Sequence, residues 1–354
     1  MKKTTLLLLT TFLIAHANAA VITVNITPGS AAQFTEIAPA MAAANPNDTI
    51  YVSGSAVTYA DATITKSITL IGNGPFTSQQ NHYPTYCHNL TLTNNTSNIK
   101  IEGFLLWEIR GNSLNNVHYL DITNNYFPYT GNFTYILNSS GMVNCSDFNF
   151  HNNTIEQNWP ISLSAASGCF NMIIEHNIFH RFDGSQPTLS GFNFPNGVIQ
   201  NNTFIYYPPN SNPFIGVSNA MIQNNIFYNC DATVGVSAST YNNNITYSSS
   251  STLPLLGGTN IDNTNPQFVN VALSPTVGFA ISNNYNVQTS GPAHNTGSDG
   301  TDIGYYGGPS IINLTPTGEV YNMPVIRQMN IQNISVPQNG NVNVKVRSTK
   351  SKSN

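Results

Sequence analysis

Charge is scarce in this chain: eleven basic and fifteen acidic side chains make up only 7% of 354 residues. Between Ala20 and Ser310 the only cations are Lys66, Lys100, Arg110 and Arg181. A nucleic-acid partner needs a basic face or stripe, and four scattered cations do not make one. Long apolar runs are missing as well. After the first twenty residues nothing approaches the ~20 consecutive apolar residues of a spanning helix, so no membrane span is expected. There are four cysteines, and no pair has zinc-site spacing. Neither a metal nor another cofactor is expected, and successive aspartates that could hold calcium are absent. Yet 40% of the residues are hydrophobic, which argues against disorder. Asn, Ser and Thr supply the polarity that charge does not.

The amino terminus reads as an export signal over residues 1–19. Lys2 and Lys3 precede an apolar run from Leu6 to Ala15, and Ala17-Asn18-Ala19 offers a small-residue cleavage site. A secreted, periplasmic or cell-surface protein of bacterial type is the expectation. Without the two lysines, nine basic side chains face fifteen acidic ones, a net charge of −6.

What the chain does have is a repeat. Asn-Asn pairs, or close variants, recur in ITNNYF, FHNNTI, IEHNIF, IQNNTF, IQNNIF and YNNNI. The second Asn of each is Asn125, Asn153, Asn177, Asn202, Asn225 and Asn244, at separations of 28, 24, 25, 23 and 19 residues. Periods of that size signal a solenoid. Apolar residues stand three before the Asn (Ile122, Phe150, Ile174, Ile199, Ile222) and two after it (Phe127, Ile155, Phe179, Phe204, Phe227), with polar ones between. Such in–out alternation over short stretches is strand behaviour. Each repeat is therefore read as one coil of short strands, and the coils stack into parallel sheets around an apolar interior. The Asn column is expected at a sharp corner, because Asn tolerates the left-handed backbone conformation and its amides can bond from coil to coil.

These features resemble the right-handed parallel β-helix proteins of the pectate-lyase-like superfamily. Phe34 to Gly54 (FTEIAPAMAAANPNDTIYVSG) is similar to their entry, a short capping helix followed by the first strand. Asn265–Asn270 (NPQFVN) and Gly291–Gly308 (GPAHNTGSDGTDIGYYGG) are similar to the closing segment of exported members. The resemblance implies an all-β solenoid of about ten coils over residues 20–310, with a cap at about 34–44 and closure at about 265–308. Residues 311–354 read as an appended hairpin with a basic tail, including Lys350 and Lys352.

For chemistry, lyases of this fold need Lys or Arg beside a uronate, plus further charge to neutralise its carboxylate. Lys100 and Arg110 are the only early pair, with Glu102 and Glu108 as alternative partners. Successive aspartates and an Arg-x-x-Arg pattern are lacking. Glu156 and His180 share the column three after the Asn, with Arg181, Asp183 and Trp159 close by. On an outer face these five would suit a sugar, or else form a surface charge pair. His151 and Glu175 share another column. Cys145 and Cys169, also in one column, suit either a disulfide or two reduced core thiols. Asp299-Gly-Thr-Asp302 reads as a tight turn. His82 and His88 lie near Cys87 without a defensible metal spacing. Ile173, Val198 and Met221, four before the Asn, are expected to form an outward apolar stripe, which either marks a contact surface or is covered by the tail hairpin or a long loop. The reading that follows is non-catalytic binding of polysaccharide or cell-surface glycan. The alternatives are a polysaccharide lyase or hydrolase, and a structural envelope element.

Overall fold

The computed structural model describes residues 19–76, 83–129, 137–156, 161–181, 188–206, 211–254, 259–271, 278–280, 282–309, 325–331 and 344–349. The expected leader, Trp159, Asp183, His82, Lys350 and Lys352 lie outside the described residues.

The chain winds as an all-β parallel solenoid. One face stacks Val21–Val24, Thr49–Val52, Thr69–Gly72, Ser97–Glu102, His118–Thr123, Ser146–His151, Phe170–Glu175, Asn193–Gln200 and Val217–Gln223, all parallel and in that order. The last of these pairs with two short strands, Val236–Ser237 and Thr240–Asn242. The second face starts as single strands, Ala62–Ile64, Thr85–Leu92 and Phe104–Arg110. From the next coil on it divides into two arms, because Phe104–Arg110 pairs with both Tyr126–Phe127 and Leu137–Val143. The solenoid makes about seven turns where ten were expected. The first face contains ten strand levels; on the second face three undivided strands are followed by six in the longer arm.

In-register stacking makes the interior. Phe148 lies between Leu120 and Met172, and Phe150 between Ile122 and Ile174, all buried. Phe179, Phe204 and Phe227 stack with ring centroids 4.7 and 5.0 Å apart. Fully burying one such side chain stabilises the fold by about 1.5–3 kcal/mol. At the amino-terminal end the helix Ile37–Ala43 buries Ile37, Ala40 and Met41 against the first strands. Seven residues are too few for a helix to persist alone, so this packing holds it. Among the described residues no helix is long and apolar enough to cross a membrane.

The repeated Asn pair divides its labour between its two members. The second Asn turns inward, is buried, and forms a continuous ladder. Asn177 donates its backbone N–H and its Nδ2 to Asn202 Oδ1, both at 3.0 Å. Its Nδ2 also donates to the carbonyls of Phe150 and Glu175. Asn125, Asn153, Asn202, Asn225 and Asn244 each bond their next rung in the same way. The ladder runs further than the motif: the Phe104 N–H begins it and Asn260 Oδ1 ends it. The left-handed conformation, expected at the ladder Asn, instead belongs to the residue before it. Asn124, Asn152, His176, Asn201, Asn224 and Asn243 have φ of 50–55°. That residue swings the chain round the corner, and only then can the next side chain point inward.

A second left-handed column, six before the ladder, contains Tyr119, Asp147, Asn171, Asn196, Asn219 and Ala238. It resets the alternation within each first-face strand, so that residues three apart, such as Cys145 and Phe148, both face the core. Four before the ladder, Ile173 and Val198 are half-buried and Met221 is 36% exposed on the outer side.

The closing segment runs back along the flank. Thr296 O accepts from Asn243 Nδ2, Ser298 N donates to Asn224 Oδ1, Tyr305 N donates to Thr203 Oγ1, and Tyr305 O accepts from His176 Nδ1. Val287, Ala293, Ile303 and Tyr305 thereby cover the outward side chains Ile178, Ile226 and Ile245, which makes a second apolar core outside the solenoid. Val325–Ile331 and Val344–Thr349 pair antiparallel, placing Met329 opposite Val346.

Candidate functional site

The cluster expected on an open outer wall is sealed instead. Register does place Glu156 next to His180, since Ile155 pairs with Phe179. But Glu156 is only 7% exposed, His180 0% and Arg181 1%. The closing segment covers the first two. Glu156 accepts a bond from the Tyr126 hydroxyl and another from the Phe279 N–H at 2.5 Å. His180 Nδ1 lies 2.7 Å from Tyr285 Oη. Burial pushes the Glu156 carboxyl up and the His180 imidazole down to about 4. Arg181 has the opposite strand parity and lies inside, its guanidinium 5.3 Å from the Tyr206 ring centroid. None of the three can meet a polymer in solvent.

Lys100 and Arg110 do not converge either. They stand on different sheets. Lys100 Nζ lies 2.8 Å from Glu102 and 3.9 Å from Asp121, and Arg110 Nε lies 2.8 Å from Glu108. Partial burial opposes the Lys100 charge, but the bond to Glu102 and the two carboxylates outweigh it and leave its pKa raised. An ammonium held in that state is a poor general base. His151 Nε2 lies 2.7 Å from Asp121 Oδ1 and its Nδ1 lies 3.1 Å from Asn152 Nδ2, so both ring nitrogens are engaged. Glu175 is its register neighbour and accepts from Gln200, which accepts in turn from Gln223. The first face thus displays two bonded groups of polar side chains, Lys100–Asp121–His151 and Glu175–Gln200–Gln223.

Four further groups have local explanations. Asp299 Oδ1 accepts from Thr301 N and Oγ1, and Asp302 Oδ1 accepts from Asn295 N, the local caps of a tight turn. Among the described residues no three His, Cys, Asp or Glu are placed to hold a metal. Cys145 and Cys169 are both free thiols, pointing at backbone carbonyls 3.4–3.5 Å away. Cys87 is buried, with its thiol pushed up to about 12 by desolvation.

One exposed arrangement remains, and the sequence reading did not assemble it. Tyr86 and His88 point outward from Thr85–Leu92, and Trp107 from Phe104–Arg110; all three are half-buried. Cys87 pairs with Leu106, which sets His88 directly beside Trp107. Their rings stack at 3.8 Å with 15° between planes, and Tyr86 leans edge-on to His88 at 5.1 Å. Polar groups flank them: Arg110 bonded to Glu108, and Asn89 Nδ2 donating to Asp61 at 2.6 Å. No protein-family model matches the chain, and no curated protein matches it.

Proposed function

We propose that this protein is an exported β-solenoid that binds neutral polysaccharide, without chemistry, on the aromatic wall formed by Tyr86, His88 and Trp107. The observation that carries the reading is the group of three half-buried aromatic side chains, Tyr86, His88 and Trp107, on one outer wall. A pyranose ring has one face made of C–H groups, which suits the electron-rich face of an aromatic side chain. Flat aromatic surface with a few oriented polar groups at its margin is how such sites fix a ligand, and Asn89, Asp61, Glu108 and Arg110 supply that margin. Arg110 is already neutralised by Glu108, so an uncharged sugar suits the wall better than a uronate. Support for kinship with the pectate-lyase-like superfamily is the capping helix followed by a strand, and the flank-covering closing segment. Support for export is the Lys2–Ala19 pattern. The lyase alternative needs Lys100 and Arg110 to converge, and they stand on different sheets.

Trp107 makes the test direct. Affinity electrophoresis through gels containing neutral glucans, xylans or mannans should retard the wild type by at least one of them. Trp107→Ala should weaken that binding by about tenfold or more, on the scale of a lost aromatic anchor. Retardation by none of them, or equal retardation of the variant, would overturn the proposal.

A further inference from the structure

The closing segment covers an apolar flank, and two imidazoles are trapped beneath it. His176 is 2% exposed and His180 0%. His176 Nδ1 donates to Tyr305 O at 3.0 Å, so the neutral ring already uses its one N–H. His180 Nδ1 meets Tyr285 Oη, which also accepts from Asn283 Nδ2, and no described group bonds His180 Nε2. A second proton on either ring would create a buried cation with an added N–H to satisfy, which is costly in apolar surroundings. The strap contributes Tyr285 and Tyr305 to these contacts, and both belong to the outer apolar core with Ile178, Ile226 and Ile245.

We propose that residues 282–308 form an acid-released strap: protonation of His176 and His180 frees it from the flank while the solenoid beneath stays wound.

The other ionisable groups around the two rings bear on the sign. Beside His180 lie Glu156, on the preceding coil, and Tyr285; Arg181, next in the chain, faces the interior over Tyr206. Around His176 lie Glu175, His151 and Asp299, with burial the largest influence, and that ring is also shifted down. Both imidazoles have closed-state pKa values below the 6.5 of the free ring, so the open strap binds protons more readily. Closure therefore weakens as pH falls from about 6.5, and for His180 the loss is complete near its closed-state value of about 4. Glu156 works the other way. Its raised carboxyl takes a proton more easily when covered, which favours closure in acid. One carboxyl thus opposes two imidazoles, and release in acid requires the imidazoles to outweigh it.

Hydrogen exchange read by mass spectrometry, corrected for the intrinsic pH dependence of exchange, tests this at pH 7 and pH 4.5. Peptides within 282–305 should lose protection about tenfold or more at the lower pH, while those spanning His118–Thr123 and Ser146–His151 keep theirs. A His176→Gln/His180→Gln double variant should retain strap protection at both values. The proposal fails if the strap is equally protected at both pH values, or if strap and solenoid lose protection together. It fails too if the double variant opens as the wild type does. Should that variant not fold, the wild-type comparison decides alone.

Discussion

At the scale of single residues, the Asn-Asn motif combines two unlike requirements, and substitution separates them. Asn177 donates four hydrogen bonds and its Oδ1 accepts two from Asn153, all in a fully buried position. Asn177→Ala should destabilise the protein by about 2–4 kcal/mol, because it leaves carbonyls and a neighbouring amide unpaired in the interior. Asn201, which precedes a rung, is present for its φ of 51°, and its Nδ2 has no partner. Asn201→Gly should therefore cost only a few tenths of a kcal/mol, since glycine accepts that conformation without strain. Urea denaturation of the two variants checks the asymmetry. Equal costs would show that the pair acts as a unit. The cysteines give a second residue-scale expectation. All four are buried thiols, with burial raising Cys87 to about 12 and Cys145 to about 11. The thiolate is the reactive form. At pH 8 a thiol reagent should label none of the four in the native protein and all four in denaturant. A count of two in denaturant would instead reveal a disulfide.

At the scale of elements, legibility followed the rungs. Where an Asn marks the coil, from Asn125 to Asn244, columns counted in the sequence are neighbours in space, as Phe148 with Leu120 and Glu156 with His180. Before Asn125 the rung is Phe104, which carries no such mark. The 19 residues between His88 and Trp107 could not then be recognised as one turn, and the aromatic wall stayed hidden. Simple alternation holds near the rungs but is incomplete along the strand, because left-handed residues such as Asn171, Asn196 and Asn219 shift its parity. The outer cover was not legible either, since Phe279 and Tyr285 lie more than 100 residues beyond Glu156 and His180. Adjacency within the solenoid is periodic; what folds back across it is not. The capping helix is a local element and was read correctly as one. It protects the end of a stacked sheet, a place where exposed backbone and apolar core invite association. Ile37→Asp puts a charge at a fully buried position and should lift that cap. Size-exclusion chromatography is expected to show oligomers where the wild type elutes as a discrete species. An unchanged elution profile would mean that the helix is dispensable.

At the scale of the whole molecule, the solenoid separates its outer surface by function. The first face has two bonded polar groups, from Lys100 to His151 and from Glu175 to Gln223. One flank is sealed by the closing segment, and the early coils of the second face present Tyr86, His88 and Trp107. Each assignment depends on residues one period apart lying on top of each other. Glu175 and Gln223 are outward and two levels apart through Gln200, so their backbones should be separated by about 10 Å, twice the strand spacing. Spin labels on a Glu175→Cys/Gln223→Cys variant test this by continuous-wave electron paramagnetic resonance, because the native thiols are buried. The account predicts strong dipolar broadening relative to either single label, and a double-labelled spectrum equal to the sum of the singles would contradict it.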